Sequence, residues 1–339
     1  MRIIVDGFGG DNAPLAVLQG CVMAASEYGI AITVIGDESI IKKTAAENEI
    51  DLSSLEIIHA PLVIPIEAEA RSILSDYSNS SMAVGLQLLA DGKGDAFVSA
   101  GSTGALVVGS SLIVKRIKGI KRAVLAPIMP CEEGCYILLD AGANIECRPD
   151  MLVQFGVMGS AYMEKIIGLK NPKVSLVNIG AEETKGGELQ RGAYQLFTES
   201  NIVNFTGNIE PRDIPGGSAD VVICDGFTGN VILKLTEGLG NMLIHKLKGI
   251  FKSGIKGKLA ALLVMGKMKE FKKSVDYTEY GGAPLLGISK PVIKAHGSSN
   301  ANAFKNAIRQ AKDFAQTGVI DKITSSLAVL KSQNVEKTK

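Results

Sequence analysis

Ala96-Phe97-Val98-Ser99-Ala100-Gly101-Ser102-Thr103-Gly104-Ala105 decides how this chain is read. A short apolar run ends in small polar residues and opens at once into a second apolar stretch, 105–114. The first run is too short and too continuously apolar for an amphipathic helix, so it reads as a strand buried on both faces. The second has the length of a helix. Between them, glycines and hydroxyls form a loop at the helix start, where backbone N–H groups lack partners within the helix.

The same alternation runs outward in both directions. Strands are expected at 2–7, 32–36, 55–60, 123–128, 136–140, 174–179, 202–205, 221–224 and 291–295, with helices between them at 14–28, 81–91, 151–167 and 188–198. Alternating buried strands and helices give an α/β fold, a three-layer α/β/α sandwich with a mostly parallel sheet. No internal repeat or low-complexity linker divides it. Residues 1–330 therefore read as a single α/β/α domain, with 240–275 a basic helical excursion and 331–339 a polar tail. Ligands of such sheets bind outside the carboxyl ends of the strands.

Composition removes several classes of function. The net charge is +1 over 339 residues, and aromatics make up only 5% with no Trp, so nucleic acid is not an expected partner. Five cysteines at irregular spacing read as reduced thiols. Cys131 and Cys135 are two ligands without a nearby His, so no metal is expected. The chain starts directly with a strand, without a basic-then-apolar leader, and it has no apolar run of about 20 residues. A cytoplasmic protein is expected.

Five strand-end loops carry the candidate chemistry. The loop 6–12 lacks the G-x-G-x-x-G spacing of a dinucleotide site, and Asp6 and Asp11 would repel a pyrophosphate. In 99–105, Ser99, Gly101, Ser102, Thr103 and Gly104 offer hydroxyls and N–H groups suited to an oxyanion, or an ordinary helix cap. Loop 178–187 brings Asn178 and Gly180, and Lys185 adds a full positive charge. In 224–230, Asp225 is placed to orient a donor or accept a proton. There Asn230 and the backbone of Gly226 to Gly229 are placed to stabilise a carbonyl oxyanion. Loop 295–300 holds His296, Gly297 and Ser298, with His296 expected at a helix start that favours its neutral form.

Taken together, these stretches carry a resemblance. Val5-Asp-Gly-Phe-Gly-Gly-Asp11, 94–106, Leu138-Leu-Asp-Ala-Gly-Ala-Asn144, 178–186, Phe205-Thr-Gly-Asn-Ile-Glu210, 225–230, Tyr280-Gly-Gly-Ala-Pro-Leu-Leu-Gly287 and Lys294-Ala-His-Gly-Ser-Ser299 follow in order along nearly the whole chain. The chain resembles the bacterial acyl-acyl-carrier-protein:phosphate acyltransferases of phospholipid synthesis. It departs from their usual motifs at Gly7 and Phe8, at Asn12 where the family has His, and at Ser102 where it has Asn.

The resemblance implies a homodimer and a sandwich related to phosphotransacetylases and isocitrate-type dehydrogenases. It also implies transfer of a fatty acyl group from acyl carrier protein to inorganic phosphate, with no cofactor. Under that reading Ser102, Thr103 and Gly104 bind phosphate and Lys185 neutralises charge. Asn230 and His296 polarise the thioester carbonyl or protonate the thiolate, and Asp225 orients one of them. Acyl-CoA as donor, and a non-catalytic membrane-associated scaffold, are the alternatives. An NAD-dependent dehydrogenase is opposed by the failed glycine spacing.

The lysine-rich stretch after Val231 carries Leu243, Leu247, Ile250 and Phe251 at helical spacing. Gly254 and Gly257 interrupt it, and Leu259, Leu262, Leu263, Val264 and Met265 follow as an apolar cluster. It reads as a protruding helical hairpin with an apolar tip and a lysine collar, suited to peripheral contact with an anionic membrane. Packing in a dimer, or docking of the acidic carrier protein, are the other readings.

Overall fold

Two mostly parallel sheets make up the fold, and the parallel strands of each sheet end in loops at one edge. The computed structural model describes residues 1–274 and 280–336. The first sheet is built from β1 (Arg2–Asp6), β2 (Ala31–Gly36), β3 (Leu55–His59), β4 (Ala96–Ser99) and β5 (Val124–Leu125), joined later in the chain by β11 (Ala283–Leu286) and β12 (Val292–Lys294). Its order is β3-β2-β1-β4-β12-β11-β5, parallel up to β12 and antiparallel beyond. The second sheet comprises β6 (Ile128–Pro130), β7 (Cys135–Leu139), β8 (Lys173–Val177), β9 (Asn204–Ile209) and β10 (Val221–Ile223), ordered β6-β7-β10-β8-β9. Only β6 runs antiparallel there.

The strand expected at 123–128 is two strands. Pro127 has no N–H to donate to a ladder, and β5 and β6 on either side of it belong to different sheets. The expected strand at 202–205 begins two residues later and runs on to Ile209. β11 was not anticipated, because Pro284 interrupts its apolar run.

Helices α1 (Leu15–Tyr28), α2 (Glu38–Glu47), α3 (Ser81–Ala90), α4 (Thr103–Gly109), α5 (Pro149–Tyr162), α6 (Glu188–Ser200), α7 (Gly226–Lys252), α8 (Gly254–Ser274), α9 (Ala301–Gln316) and α10 (Val319–Glu336) complete the fold. Successive residues of a strand face opposite layers. On β1, Ile3 and Val5 join a core with α1 and α9, while Ile4 joins a second core with α3 and α4. On the second sheet, Ile137 and Leu139 of β7 join the same core as Ile3, together with Leu152 and Phe155 of α5. One apolar layer thus runs beneath both sheets. Leu138 faces the opposite side, with Ile232 and Leu233 of α7 packed there. In α9, Ala303, Phe304, Ala307, Ile308, Ala311 and Phe314 recur at helical spacing and are buried. Each large side chain buried this way contributes about 1.5–3 kcal/mol.

α7 and α8 form the expected hairpin, turning at Ser253 and Gly254, where φ is +63°. The apolar cluster is not at the tip. Leu259, Leu262, Leu263, Val264 and Met265 lie on the flank of α8, beginning about one and a half helical turns past Gly254. They are exposed, Leu263 at 85%. The tip itself is Lys252-Ser253-Gly254. The expected end of the excursion at Val275 lies outside the described residues. The expected tail at 331–339 is helical as far as Glu336, as the last turns of α10, and 337–339 lie outside the described residues. Among the described residues no helix is long and apolar enough to cross a membrane.

Candidate active site

β1, β4 and β12 are neighbours in the first sheet, so the loops after them converge. Asp6 closes β1 and is buried; its carboxylate accepts hydrogen bonds from Ser99 Oγ at 2.6 Å and from the Phe8 N–H at 3.2 Å. Ser99 Oγ in turn accepts from the Gly101 N–H at 3.0 Å. This chain of contacts ties loop 6–12 to loop 99–104. Only glycine fits at position 9: a Cβ there would lie 2.5 Å from the Gly101 nitrogen. Loop 295–300 closes the third side, with the Asp11 N–H donating to the Gly297 carbonyl at 2.8 Å and Asn12 Nδ2 donating to the carbonyls of Ser298 and Ser299.

Lys294, at the end of β12, lies largely buried beneath the three loops. Its Nζ donates to the Ala295 carbonyl at 2.6 Å and to the Ala100 carbonyl at 3.1 Å, stapling two of them together. Burial pushes this ammonium down to about 8, with Lys234 adding to the effect and Asp6 and Asp11 opposing it. Burial also raises Asp6 above the usual carboxylate range, against its hydrogen bonds to Ser81, Ser99 and the Phe8 N–H and the charge of Lys294.

The fourth side comes from the other sheet. α7 starts at the end of β10, and about two to three turns later Lys234 and Glu237 come beside the loop that carries His296. Lys234 Nζ donates to Glu237 Oε2 at 2.8 Å, and Glu237 Oε1 lies 3.8 Å from His296 Nε2. His296 is held below its usual range, mainly by burial and further by Lys234 and Lys294, with Glu237 and Asp11 pulling the other way. Lys234, Lys294 and the imidazole of His296 therefore lie together where α7 meets the first-sheet loops.

The structure sorts the anticipated residues into groups. His296, Gly297 and Ser298 share a loop that meets loop 6–12 through Asp11 and Asn12 and the end of β4 through Lys294, while Ser102, Thr103 and Gly104 follow on from that strand end, with Gly104 against Ala70. Ser99 does not face outward: the side chain is fully buried and its hydroxyl is engaged, so it shapes the loop instead of contacting an anion. The Gly101 N–H is likewise taken up, by Ser99. Ser102 is the N-cap of α4, its Oγ accepting from the Ala105 N–H at 3.5 Å. His296 is not at a helix start. It stands in a turn, the Ser299 N–H donating to its carbonyl, and α9 begins only after Asn300, whose side chain accepts from the Ala303 N–H. Its lowered pKa comes from burial and lysines, not from a helix end.

The loops of the second sheet form their own cluster. Asp140 is buried and accepts from the N–H groups of Leu125, Ala143 and Asn144 and from Asn144 Nδ2. Asp225 caps α7, its two oxygens taken by the Thr228 N–H at 2.9 Å and the Thr228 hydroxyl at 2.8 Å. The Gly226 N–H donates to the Asn144 carbonyl at 2.7 Å, and the Gly229 N–H to the Asp225 carbonyl at 3.0 Å. These amides are spent within the fold, so the expected oxyanion hole along 226–229 is not formed by them. A Cβ on Gly226 would meet the Asn144 carbonyl oxygen at 2.5 Å, which accounts for the glycine.

Asn230 is exposed next to Gly142. Asn178 is buried and pins its own loop, Nδ2 donating to the Lys185 carbonyl and Oδ1 accepting from the Ile179 N–H. Gly180 packs against Lys185, whose half-exposed Nζ stands 4.0 Å from Glu182. This loop is held by Asn208 of β9, whose Nδ2 donates to the Glu182 carbonyl.

Lys294, Asp6, Lys234 and Glu237 were not anticipated as site residues. Asp6 ends an apolar strand, and Lys294 sits at the end of another within Pro291-Val-Ile-Lys294, a signal that was present. Lys234 and Glu237 carry no local signal, because helix α7 alone brings them to the first-sheet loops. Among the described residues, no group of three or more His, Cys, Asp or Glu side chains is placed to hold a metal ion.

Residues 1–322 match the family described as "Fatty acid synthesis protein". The chain is 47% identical over 336 residues to the phosphate acyltransferase of Alkaliphilus oremlandii, covering 99% of this chain and 100% of that one. It is 46% identical to the phosphate acyltransferase of Clostridium botulinum over 336 residues, with the same coverage, and 46% identical to that of Acetivibrio thermocellus over 337 residues, covering 99% of each. In fold it is similar to a phosphotransacetylase from Streptococcus pyogenes, with a TM-score of 0.65 at 16% identity, and to the EutD phosphotransacetylase from Staphylococcus aureus, with a TM-score of 0.63 at 18% identity. Each likeness covers 93% of this chain and 94% of the other.

Proposed function

The chain belongs to the phosphate acyltransferase family, and from that premise we propose that it transfers a fatty acyl group from acyl carrier protein to inorganic phosphate for phospholipid synthesis. The observation that supports the assignment of the site is the meeting of Lys234 of α7 with Lys294 and His296 at the ends of the first-sheet strands, next in sheet order to the strand whose loop opens α4. Phosphate is anionic near neutral pH, so its attack on a thioester needs no activated Ser or Cys. The site must hold two anions together, the phosphate and the developing oxyanion, away from water.

Phosphate sits against Ser102, Thr103 and Gly104 with Lys234 and Lys294 compensating its charge. A phosphate oxygen bonds to the carbonyl carbon, the carbon–sulfur bond breaks with its electron pair on sulfur, and His296 supplies the proton to the thiolate. Asn230 in the first turns of α7 and Lys185 on the loop after β8, both on the side of the second sheet, receive the thioester end of the donor. Lys185→Ala lowering the catalytic rate supports that role, and an unchanged rate removes it.

The exposed flank of α8 supports peripheral contact with an anionic membrane on the cytoplasmic side. Lys246, Lys248, Lys252 and Lys256 are exposed along the same hairpin, and each lysine near the headgroups contributes about 1 kcal/mol. A homodimer is supported by Val231, Leu235, Leu239 and Met242, exposed at helical spacing along α7. Light scattering on the purified chain tests this, and a monomer mass at micromolar concentration refutes it.

The deciding experiment is phosphate-dependent release of free carrier protein from palmitoyl-acyl carrier protein, with acetyl-CoA run in parallel. Acyl phosphate formed from the first donor supports the proposal. Turnover only with acetyl-CoA assigns a phosphotransacetylase, and turnover with neither removes the reading.

A further inference from the structure

Helix α4 begins at Thr103, and its continuation ends against a pocket. Gly104 is exposed and has no side chain; a Cβ there would meet only Ala70, at 3.2 Å, so the start of the helix is open toward the short 3₁₀ segment Ala70–Leu74. From Gly104 onward the outward face is apolar. Val107 and Val108 are half-buried, and Leu112 is 53% exposed. The chain continues the helix through Ser110–Lys115 as a π-helix, a form that recurs at functional sites. Gly109 lets the 3₁₀ segment close against α4, since a Cβ there would lie 2.6 Å from Ile73 Cδ1 and 2.7 Å from Leu86 Cδ1.

Between the 3₁₀ segment, α3 and the π-helix lies a pocket of about 410 Å³, a size ordinary for small-ligand sites. Its apolar walls are Ile73, Leu74, Ala83, Val84, Leu88 and Ile113, and Ser78, Asn79 and Gln87 complete the lining. None of these residues is charged, so the pocket offers nothing to an anion. An alkyl chain needs no polar partner, and each methylene buried there gains about fourfold in affinity. Ile113 lies ten residues after Thr103. Along a helix that is roughly 15 Å, the reach of about twelve bonds of an extended chain.

Resting on the transfer to phosphate described above, we propose that this pocket receives the methyl-end half of the donor's fatty acyl chain, which runs to it from the start of α4 along the apolar face of that helix. The reacting carbonyl stays beside Ser102, Thr103 and Gly104 while the chain follows Val107, Val108 and Leu112. A short acyl chain ends on α4 before the pocket and leaves it empty. A long one fills it. Selectivity for long acyl groups then comes from burial at the far end of the chain, not from contacts at the reacting carbon.

Two measurements on the full chain test this. In the first, the wild type is photolysed with palmitic acid carrying a diazirine at its methyl end, and the labelled residues are read by mass spectrometry. Label on Val84, Leu88 or Ile113 is expected. Label concentrated on the exposed flank of α8, or spread over the surface without saturating, overturns the inference. In the second, Leu88→Trp fills the pocket from the α3 side. The ratio of kcat/KM for palmitoyl- to hexanoyl-acyl carrier protein should fall about tenfold or more, the effect of roughly two methylenes left unburied. An unchanged ratio overturns the inference. A changed mass in light scattering at unchanged ratio also overturns it, and assigns this face to contact between two copies of the chain. If Leu88→Trp does not fold, the labelling of the wild type decides alone. If the wild type turns over neither thioester, the functional reading fails by itself, and the labelling still decides whether the pocket holds an alkyl chain.

Discussion

Replacing Lys294 with Met separates the electrostatic cost of this residue from its role in the site. In the folded chain its ammonium is pushed down from the ordinary 10.5 to about 8, chiefly by burial. Each pH unit of that difference is worth about 1.4 kcal/mol, so holding the charge in the fold costs roughly 3 kcal/mol at neutral pH. Between pH 8 and 10.5 the folded chain has released this proton and the unfolded chain still binds it. Stability from this group therefore rises with pH across that window.

Lys294→Met abolishes the rise. It also leaves the carbonyls of Ala100 and Ala295 without their donor, at about 1–3 kcal/mol each. The two effects oppose each other, so near pH 7 the variant is expected within about 3 kcal/mol of wild type. The catalytic rate falls at least about tenfold, because loops 99–104 and 295–300 lose their staple. Urea unfolding of both proteins at a series of pH values measures the difference, and other titrating groups cancel in the comparison. Wild type should gain roughly 3 kcal/mol over the variant between pH 7.5 and 10.5. Parallel stability curves across that range would refute the buried-ammonium account.

Ser99→Ala removes the hydroxyl that bridges Asp6 and the Gly101 N–H, and is expected to destabilise the fold by about 1–3 kcal/mol in urea and to raise the KM for phosphate. Asp225 caps α7, so Asp225→Asn should keep the catalytic rate within about threefold while Asp225→Ala loses about 1 kcal/mol of stability. If Asp225 took part in proton transfer, Asn would fail as badly as Ala. Leu262→Asp with Leu263→Asp should abolish cosedimentation with anionic vesicles at unchanged melting temperature and unchanged turnover of soluble donor, since both side chains are largely exposed. Binding that survives the double substitution would place the membrane contact elsewhere.

Much of the architecture was legible because buried parallel strands write themselves as short continuous apolar runs. Residues 2–6, 96–99 and 221–223 are such runs, and the loops after them are where the two loop clusters lie. Legibility failed where proline interrupted a run, at Pro127 and Pro284. It failed again in assigning loop groups. Ser99, Gly226, Gly229 and Asp225 have the residue types of a binding loop, yet their hydrogen bonds are spent inside the fold. Which polar groups remain for a substrate depends on the partners each finds in space, and the sequence does not record those partners.

The sequence by itself determined the alternating α/β layers, the small-residue loops at the strand ends and the basic helical hairpin, because each follows from local periodicity and composition. Only the tertiary structure decided which loops meet. The strand order β1-β4-β12 places residues 6–12, 99–104 and 295–300 side by side although nearly 300 positions separate the first from the last. It also decided the charge state of these loops, since the lowered pKa values of Lys294 and His296 come from burial and from Lys234, a residue carried there by a helix from the other sheet. Desolvation and proximity are properties of the packed chain, and no local stretch of sequence contains them.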